Sequence, residues 1–150
     1  MSSPLPPIAD LPFLLMRAQA AVAERINDQI AAHGHPGLRP VHGVIFARIA
    51  AAGASVNEIA AHLGITKQSA ATIIEALEAD GYVSRRPHPT DRRARLVELT
   101  DRGRGVTELA ARTAAAVAGE IERQIGRGAM ATVLDALHRM GEGTPPRPAW

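Results

Sequence analysis

A mainly α-helical fold with one small β-hairpin is what this sequence predicts. Three observations carry that expectation. Apolar residues recur every three or four positions over six separate segments. Only one pair of short strand-like runs is present, joined by a polar stretch. Aromatic residues make up 3% of the chain against 46% apolar residues overall. A core must therefore be built from Ala, Leu, Ile and Val, which suits close-packed helices better than a sandwich.

The elements follow in order. Residues 1–9, rich in Pro and Ser, read as a flexible arm. From Asp10 to about His33, Leu11, Leu15, Ala18, Val22, Ile26 and Ile30 form one apolar face, with Asp10 as the expected cap and Pro12 in the first turn. GHPGLRP (34–40) is a break. A second helix is expected from Pro40 to Ala52, ended by Gly53. A third runs over Ser55–His62 and a fourth over Thr66–Ala79, stopped by Gly81. Tyr82–Arg86 and Arg95–Leu99 pair as the hairpin around PHPTDRRA. Thr100 caps a long helix reaching about Gln124, Gly126 and Gly128 break it, and a last helix covers about 129–140. Residues 142–150 read as a flexible tail. The first, fifth and sixth helices each carry an apolar stripe that the compact middle cannot cover. A second copy related by a two-fold axis is the simplest cover.

Composition excludes several classes. Without cysteine, disulfides, thiolate zinc sites and thiol redox sensing are ruled out. No apolar run approaches the ~20 residues that span a bilayer, and MSSPLPPIAD lacks the pattern of a secretory signal. A cytoplasmic protein without membrane contact is expected. The net charge is only +2, so basic chemistry must be local. Lys67 is the single lysine, and the other cations are arginines, whose planar donor fork suits phosphates and base edges.

VNEIAAHLGITKQSAATIIEAL (56–77) is patterned for two helices crossing on a tight turn. Ala60 is small enough for a close crossing, Gly64 accepts positive φ in the turn, and Thr66 can cap the second helix. An ordinary pair of core helices would share the apolar set. The polar residues distinguish the two: Lys67, Gln68, Ser69 and Thr72 project from the first turns, where they can reach phosphates or base edges in a major groove. Glu75, Glu78 and Asp80 place the far end away from phosphate.

The hairpin follows directly, giving a winged helix-turn-helix. Arg85, Arg86, Arg92, Arg93, Arg95, Arg102 and Arg104 put seven of the seventeen cations into residues 84–104. A tip bearing Arg92 and Arg93 suits a narrow minor groove, whose negative potential attracts arginine. Asp91 can pair with Arg93 and hold the tip in shape. The residues leave open whether Arg92 or Arg93 enters the groove.

GYVSRRPHPTDRRARLVELTDRG (81–103) closely resembles the wing signature of the MarR family of bacterial transcription regulators. The matching features are Gly81, Arg85–Arg86, Asp91-x-Arg93, and Leu99-Thr100-x-x-Gly103. The order of six helices extends the likeness to about residues 10–141. The resemblance implies one domain over 10–141, with the winged helix-turn-helix at about 40–100 and dimerisation helices at about 10–33 and 100–141. It implies a homodimeric regulator of a pseudo-palindromic operator in double-stranded DNA, expected to be a repressor, although the sequence leaves repression or activation open. Lys67, Gln68, Ser69 and Thr72 would face the major groove, Arg85, Arg86, Arg92, Arg93 and Arg95 would contact DNA, Arg93 would be the minor-groove residue, and Asp91 would orient it. Many members carry a basic residue midway along the recognition helix, where this chain has Ala71 and Ala76. Operator affinity is therefore expected to lean on the wing.

Such regulators are often released by a small aromatic or anionic effector held between the dimerisation helices and the winged helix. Arg17, Arg25, His42 and Arg48 are the candidate polar groups there, each also readable as a surface or interhelical residue. No cofactor is expected. His33-x-His35 sits in a Gly/Pro-rich break without patterned carboxylates and reads as a loop feature rather than a metal site. An enzyme is not expected, since G-x-S-x-G, Walker and H-E-x-x-H motifs are all lacking. The rival from another class is a winged helix that binds protein instead of DNA, which would not need Asp91, Arg92 and Arg93 at its tip.

Overall fold

A computed structural model describes residues 5–144. Its helices are α1 (Leu11–Ala32), α2 (Pro40–Ile49), α3 (Val56–Leu63), α4 (Lys67–Ala79), α5 (Asp101–Ile125) and α6 (Arg127–Gly141). The hairpin strands β1 (Val83–Pro87) and β2 (Arg95–Leu99) lie between α4 and α5. The fold is thus mainly helical with one two-stranded wing. Residues 1–4 of the expected arm and 145–150 of the expected tail lie outside the described residues.

Local chemistry explains most boundaries. Ser55 caps α3 by accepting the Glu58 N–H at 3.2 Å, while the Glu58 carboxylate accepts the Ser55 N–H at 2.8 Å. These bonds, that from the Ser55 backbone first, hold the Glu58 carboxyl below its ordinary range. Thr66 caps α4 by accepting the Ser69 N–H at 3.1 Å, and Thr100 caps α5 by accepting the Gly103 N–H at 3.1 Å. Gly64, at φ 67°, makes the turn between α3 and α4.

Several expectations are corrected. Asp10 does not cap α1: it lies in a short 3-10 turn, Ile8–Asp10, with helical dihedrals and no capping bond from its side chain. α2 ends at Ile49 rather than Ala52; the chain then turns to Gly53, whose φ of 72° stops the helix while its N–H closes on the Ile49 carbonyl at 3.0 Å. Gly128 does not break the chain but lies inside α6, which starts one residue after Gly126. β1 begins at Val83, since the Tyr82 N–H still bonds the Leu77 carbonyl of α4 at 2.9 Å.

β1 and β2 pair antiparallel from Val83↔Leu99 to Pro87↔Arg95. Ala54 adds a third, one-residue rung by exchanging two backbone bonds with Val97, at 2.8 and 3.1 Å. Leu96, Val97 and Leu99 of β2 and Val83 of β1 are buried at the base of the wing. Val83, Val97 and Leu99 join Ile45, Ile49, Ile59, Ile74, Leu77 and Val106 in one aliphatic core. The wing is thereby rooted in the same core as α2, α3, α4 and the start of α5. The terminal helices are different. Ile30 is the single buried residue of α1, and α6 has none. Phe13 is 64% and Leu134 60% exposed, among a run of open apolar residues on both helices.

Candidate nucleic-acid interface and ligand cavity

The first turns of α4 present Lys67, Gln68, Ser69 and Thr72 to solvent, while Ala70, Ile74 and Leu77 are buried. The Ser69 hydroxyl oxygen accepts the Thr66 hydroxyl at 2.9 Å, and the Thr72 hydroxyl donates to the Gln68 carbonyl at 3.1 Å. Ser69 keeps a hydrogen to donate and Thr72 keeps lone pairs to accept, so the surface offers both polarities to base edges.

The wing tip is ordered by its own side chains. The Asp91 carboxylate accepts the Arg93 backbone N–H at 2.9 Å, which makes a turn instead of the side-chain ion pair expected from the sequence. His88 Nδ1 accepts the N–H groups of Thr90 and Asp91, each at 3.2 Å. The His88 N–H bonds the Ala94 carbonyl at 3.0 Å, closing the loop. These bonds satisfy the tip's backbone from within and leave Arg92, Arg93 and Arg95 exposed. Between tip and helices lies an open groove of about 360 Å³ whose walls include Lys67, Arg85, Asp91, Arg93 and Arg95.

The seven arginines of 84–104 separate into two sets. Arg85 pairs with Glu78 of α4 at 3.2 Å, and Arg86 with Glu98 of β2 at 2.7 Å. Arg102 donates to the Tyr82 hydroxyl at 3.2 Å and stacks on its ring at 4.7 Å, while Arg104 bonds the Leu99 carbonyl at 2.9 Å and pairs with Asp101 at 3.0 Å. None of the ion pairs found among the described residues involves Lys67, Arg92, Arg93 or Arg95. Within 84–104, the arginines with neither an ion pair nor a side-chain hydrogen bond are thus the three of the tip region, Arg92, Arg93 and Arg95. Arg85 and Arg86, expected at the DNA, are engaged inside the domain.

A mostly apolar cavity of about 180 Å³ lies between α1, α2 and α5. Ile26 and Ile30, Phe46, and Val106 and Ala110 form its walls, with Asn27, Arg39 and His42 as the polar groups. Of the four expected ligand residues only His42 lines it. Arg25 is paired with Glu120 of α5, Arg48 with Glu58 of α3 at 3.6 Å, and Arg17 lies on an open stretch of α1 beside Leu14 and Glu24. Asn27, Arg39 and Phe46 were not anticipated. The signal for Asn27 was its place on one helical face with Ala23, Ile26 and Ile30. His42 Nδ1 accepts the Arg39 N–H at 3.1 Å, so in the neutral ring the proton sits on Nε2. Burial first, and then the Arg39 charge, hold His42 below the ordinary imidazole range, with Asp80 pulling the other way.

A second junction escaped the sequence reading. The buried Tyr82 hydroxyl bonds His35 Nδ1 at 3.0 Å as well as Arg102, and its ring packs against Phe46 with centroids 6.0 Å apart. The loop after α1, the root of the wing and the start of α5 meet at this one side chain.

Recognition helix, hairpin wing and shared core define a winged helix-turn-helix protein. A family model described as the MarR family matches residues 37–94. The transcriptional activatory protein BadR of Rhodopseudomonas palustris is 38% identical over 71 residues, 47% of this chain and 41% of BadR. The chain thus spans less than half the length of that curated relative. CouR from Rhodococcus jostii RHA1 bound to p-coumaroyl-CoA matches with a TM-score of 0.67 at 26% identity, over 90% of this chain and 94% of that one. The transcriptional repressor CouR bound to a 23-mer DNA duplex matches with a TM-score of 0.72 at 27% identity, over 93% and 100%. A MarR-family transcriptional regulator from Rhodococcus sp. RHA1 also matches, with a TM-score of 0.70 at 25% identity over 95% of this chain and 99% of that one, so the chain resembles that family in its winged region and in its fold. Among the described residues, no helix is long and apolar enough to cross a membrane.

Proposed function

We propose that this chain is a cytoplasmic transcriptional repressor that binds a pseudo-palindromic operator as a homodimer and is released by a small ligand. One observation carries the DNA reading: Lys67, Arg93 and Arg95, none of them in an ion pair, line one groove beside the polar first turns of α4, with Arg92 exposed at the tip next to it. Lys67, Gln68, Ser69 and Thr72 read the major groove while the tip enters the minor groove with Arg93, whose backbone Asp91 fixes. Arg92 and Arg95 supply phosphate contacts. A protein-docking wing would favour apolar groups at the tip, where this chain exposes arginines.

The dimer is supported by the open apolar residues of α1 and α6, Phe13, Met16, Leu134, Leu137 and Met140 among them. Repression is the sign borne by CouR, whose likeness extends over 93% of the chain, against 47% for BadR. The α1–α2–α5 cavity supports the effector. At about 180 Å³ it is slightly larger than the ~150 Å³ apolar cavity that accepts benzene. It suits one ring with an acceptor, neutral or anionic, facing His42 Nε2 and Arg39. Footprinting on the region upstream of the chain's own gene tests the reading. Protection of two half-sites about one helical turn apart, weakened by simple aromatic carboxylates, is the expected result. No protection at low salt would remove the regulator reading.

A further inference from the structure

We propose that Arg85 is a positioning residue: its ion pair with Glu78 braces the wing against the recognition helix, and it does not itself hold a phosphate. The proposal rests on the DNA-binding reading above and reassigns one residue within it.

Arg85 projects from β1 opposite Val97, and Glu78 belongs to the last turns of α4. Their contact, Nε to Oε2 at 3.2 Å, is an ion pair that directly ties a wing side chain to an α4 side chain. Arg85 Nε and Nη2 are shut off from solvent and have no aligned hydrogen-bond partner. A phosphate needs two parallel N–H groups of the guanidinium for a bidentate contact. With Nε and Nη2 sealed, that two-pronged fork is closed and only Nη1 is left for a single contact. The side chain is 26% exposed, so bulk salt screens the pair less than it screens the tip arginines.

Geometry gives the brace its purpose. An operator half-site must meet α4 in one groove and the tip in the next, so the angle between them sets whether both engage at once. Fixing that angle beforehand spares the complex the ordering cost of finding it. Arg86–Glu98 is a different device, since it joins β1 to β2 and does not reach α4. Glu78 also acquires a role: a carboxylate that would be repelled by phosphate is held against a cation at the end of α4 that faces the wing.

The sign of one substitution separates the two roles. If Arg85 held a phosphate, Glu78→Gln would free it and remove a nearby negative charge, so duplex binding would tighten or stay the same. If Arg85 braces the wing, Glu78→Gln weakens operator binding several-fold. Arg85→Met then weakens it by a similar factor, and the double variant is no weaker than either single. The dependence of log affinity on log salt stays parallel to wild type for Arg85→Met, whereas a lost phosphate contact would lower the slope by about 0.9. Amide hydrogen exchange on the DNA-free protein gives a second readout. Tyr82–Arg86 and Arg95–Leu99 should exchange faster in Glu78→Gln and Arg85→Met. Tighter or unchanged binding by Glu78→Gln, a reduced salt slope for Arg85→Met, or wild-type exchange in both variants would overturn the brace. If the wild type bound no duplex, the regulator reading would fall, and the exchange data would still decide the brace.

Discussion

Gly103→Ala probes how α5 is seated on the root of the wing. A Cβ at Gly103 would stand 2.1 Å from the Tyr82 carbonyl oxygen, 3.2 Å from that carbonyl's carbon and 3.0 Å from Leu99 Cδ2. The leucine methyl can turn aside. The Tyr82 carbonyl has less freedom, because it accepts the Thr100 N–H at 3.1 Å beside a second tie, from the Thr100 hydroxyl to the Gly81 carbonyl at 2.6 Å. Overpacking of this kind costs about 1–3 kcal/mol, and losing the Thr100–Tyr82 bond a further 0.5–1.5 kcal/mol or so, about the net worth of one such bond. Alanine returns about 1 kcal/mol over glycine within a helix. The net destabilisation is therefore about 2 kcal/mol. Gly105→Ala is the control on the same helix, since nothing lies within 4 Å of its added Cβ, and it should stabilise by up to about 1 kcal/mol. Urea unfolding of both variants, at equal protomer concentration because dimerisation adds to apparent stability, measures the difference. Gly103→Ala as stable as Gly105→Ala would refute the close approach of α5 to Tyr82.

Three further outcomes are expected. Stability should fall on acidification below about pH 6.5. His35 and His42 both lie below the ordinary imidazole range, through burial first and then Arg102 and His33 for His35, and Arg39 for His42 against Asp80. Groups harder to protonate when folded contribute stability that is complete above the unfolded pKa and lost as pH drops through the folded one. Flat stability from pH 7 to 5 would contradict this. Leu134→Glu places a charge on the open face of α6 and should turn a dimer into a monomer by light scattering at micromolar concentration; a persisting dimer would place the interface elsewhere. Arg93→Ala should weaken operator binding by about 1–3 kcal/mol while leaving the dimer intact, and unchanged binding would remove Arg93 from the groove.

What the sequence made legible was local. Gly64, Thr66, Gly81 and Thr100 act within a few residues of themselves, through a positive φ or a capping bond, and their roles can be read in one dimension. The apolar periodicities likewise marked the helices and the strands of the wing. Two local signals misled, and the tertiary partners of the cations were not legible at all. Asp10 resembles a cap, yet the turn before α1 gives it helical dihedrals. Gly128 resembles a break, yet the helix starts before it. Arg85 and Arg86 look equivalent to Arg92 and Arg93 in a list of cations, and only the fold brings Glu78 and Glu98 against the first two. The cavity was likewise illegible: Arg25 and Arg48 pair with carboxylates on α5 and α3 and lie outside it, while its walls come from faces of three helices that meet only in space.

Whether the surface of α4 and the wing reads DNA is tested most directly by titrating a fluorescent duplex from the upstream region with the protein over a series of salt concentrations. Saturable binding with two protomers per duplex, and log affinity falling linearly and steeply with log salt, is the predicted result. No saturable binding at low salt, or an affinity indifferent to salt, would contradict it.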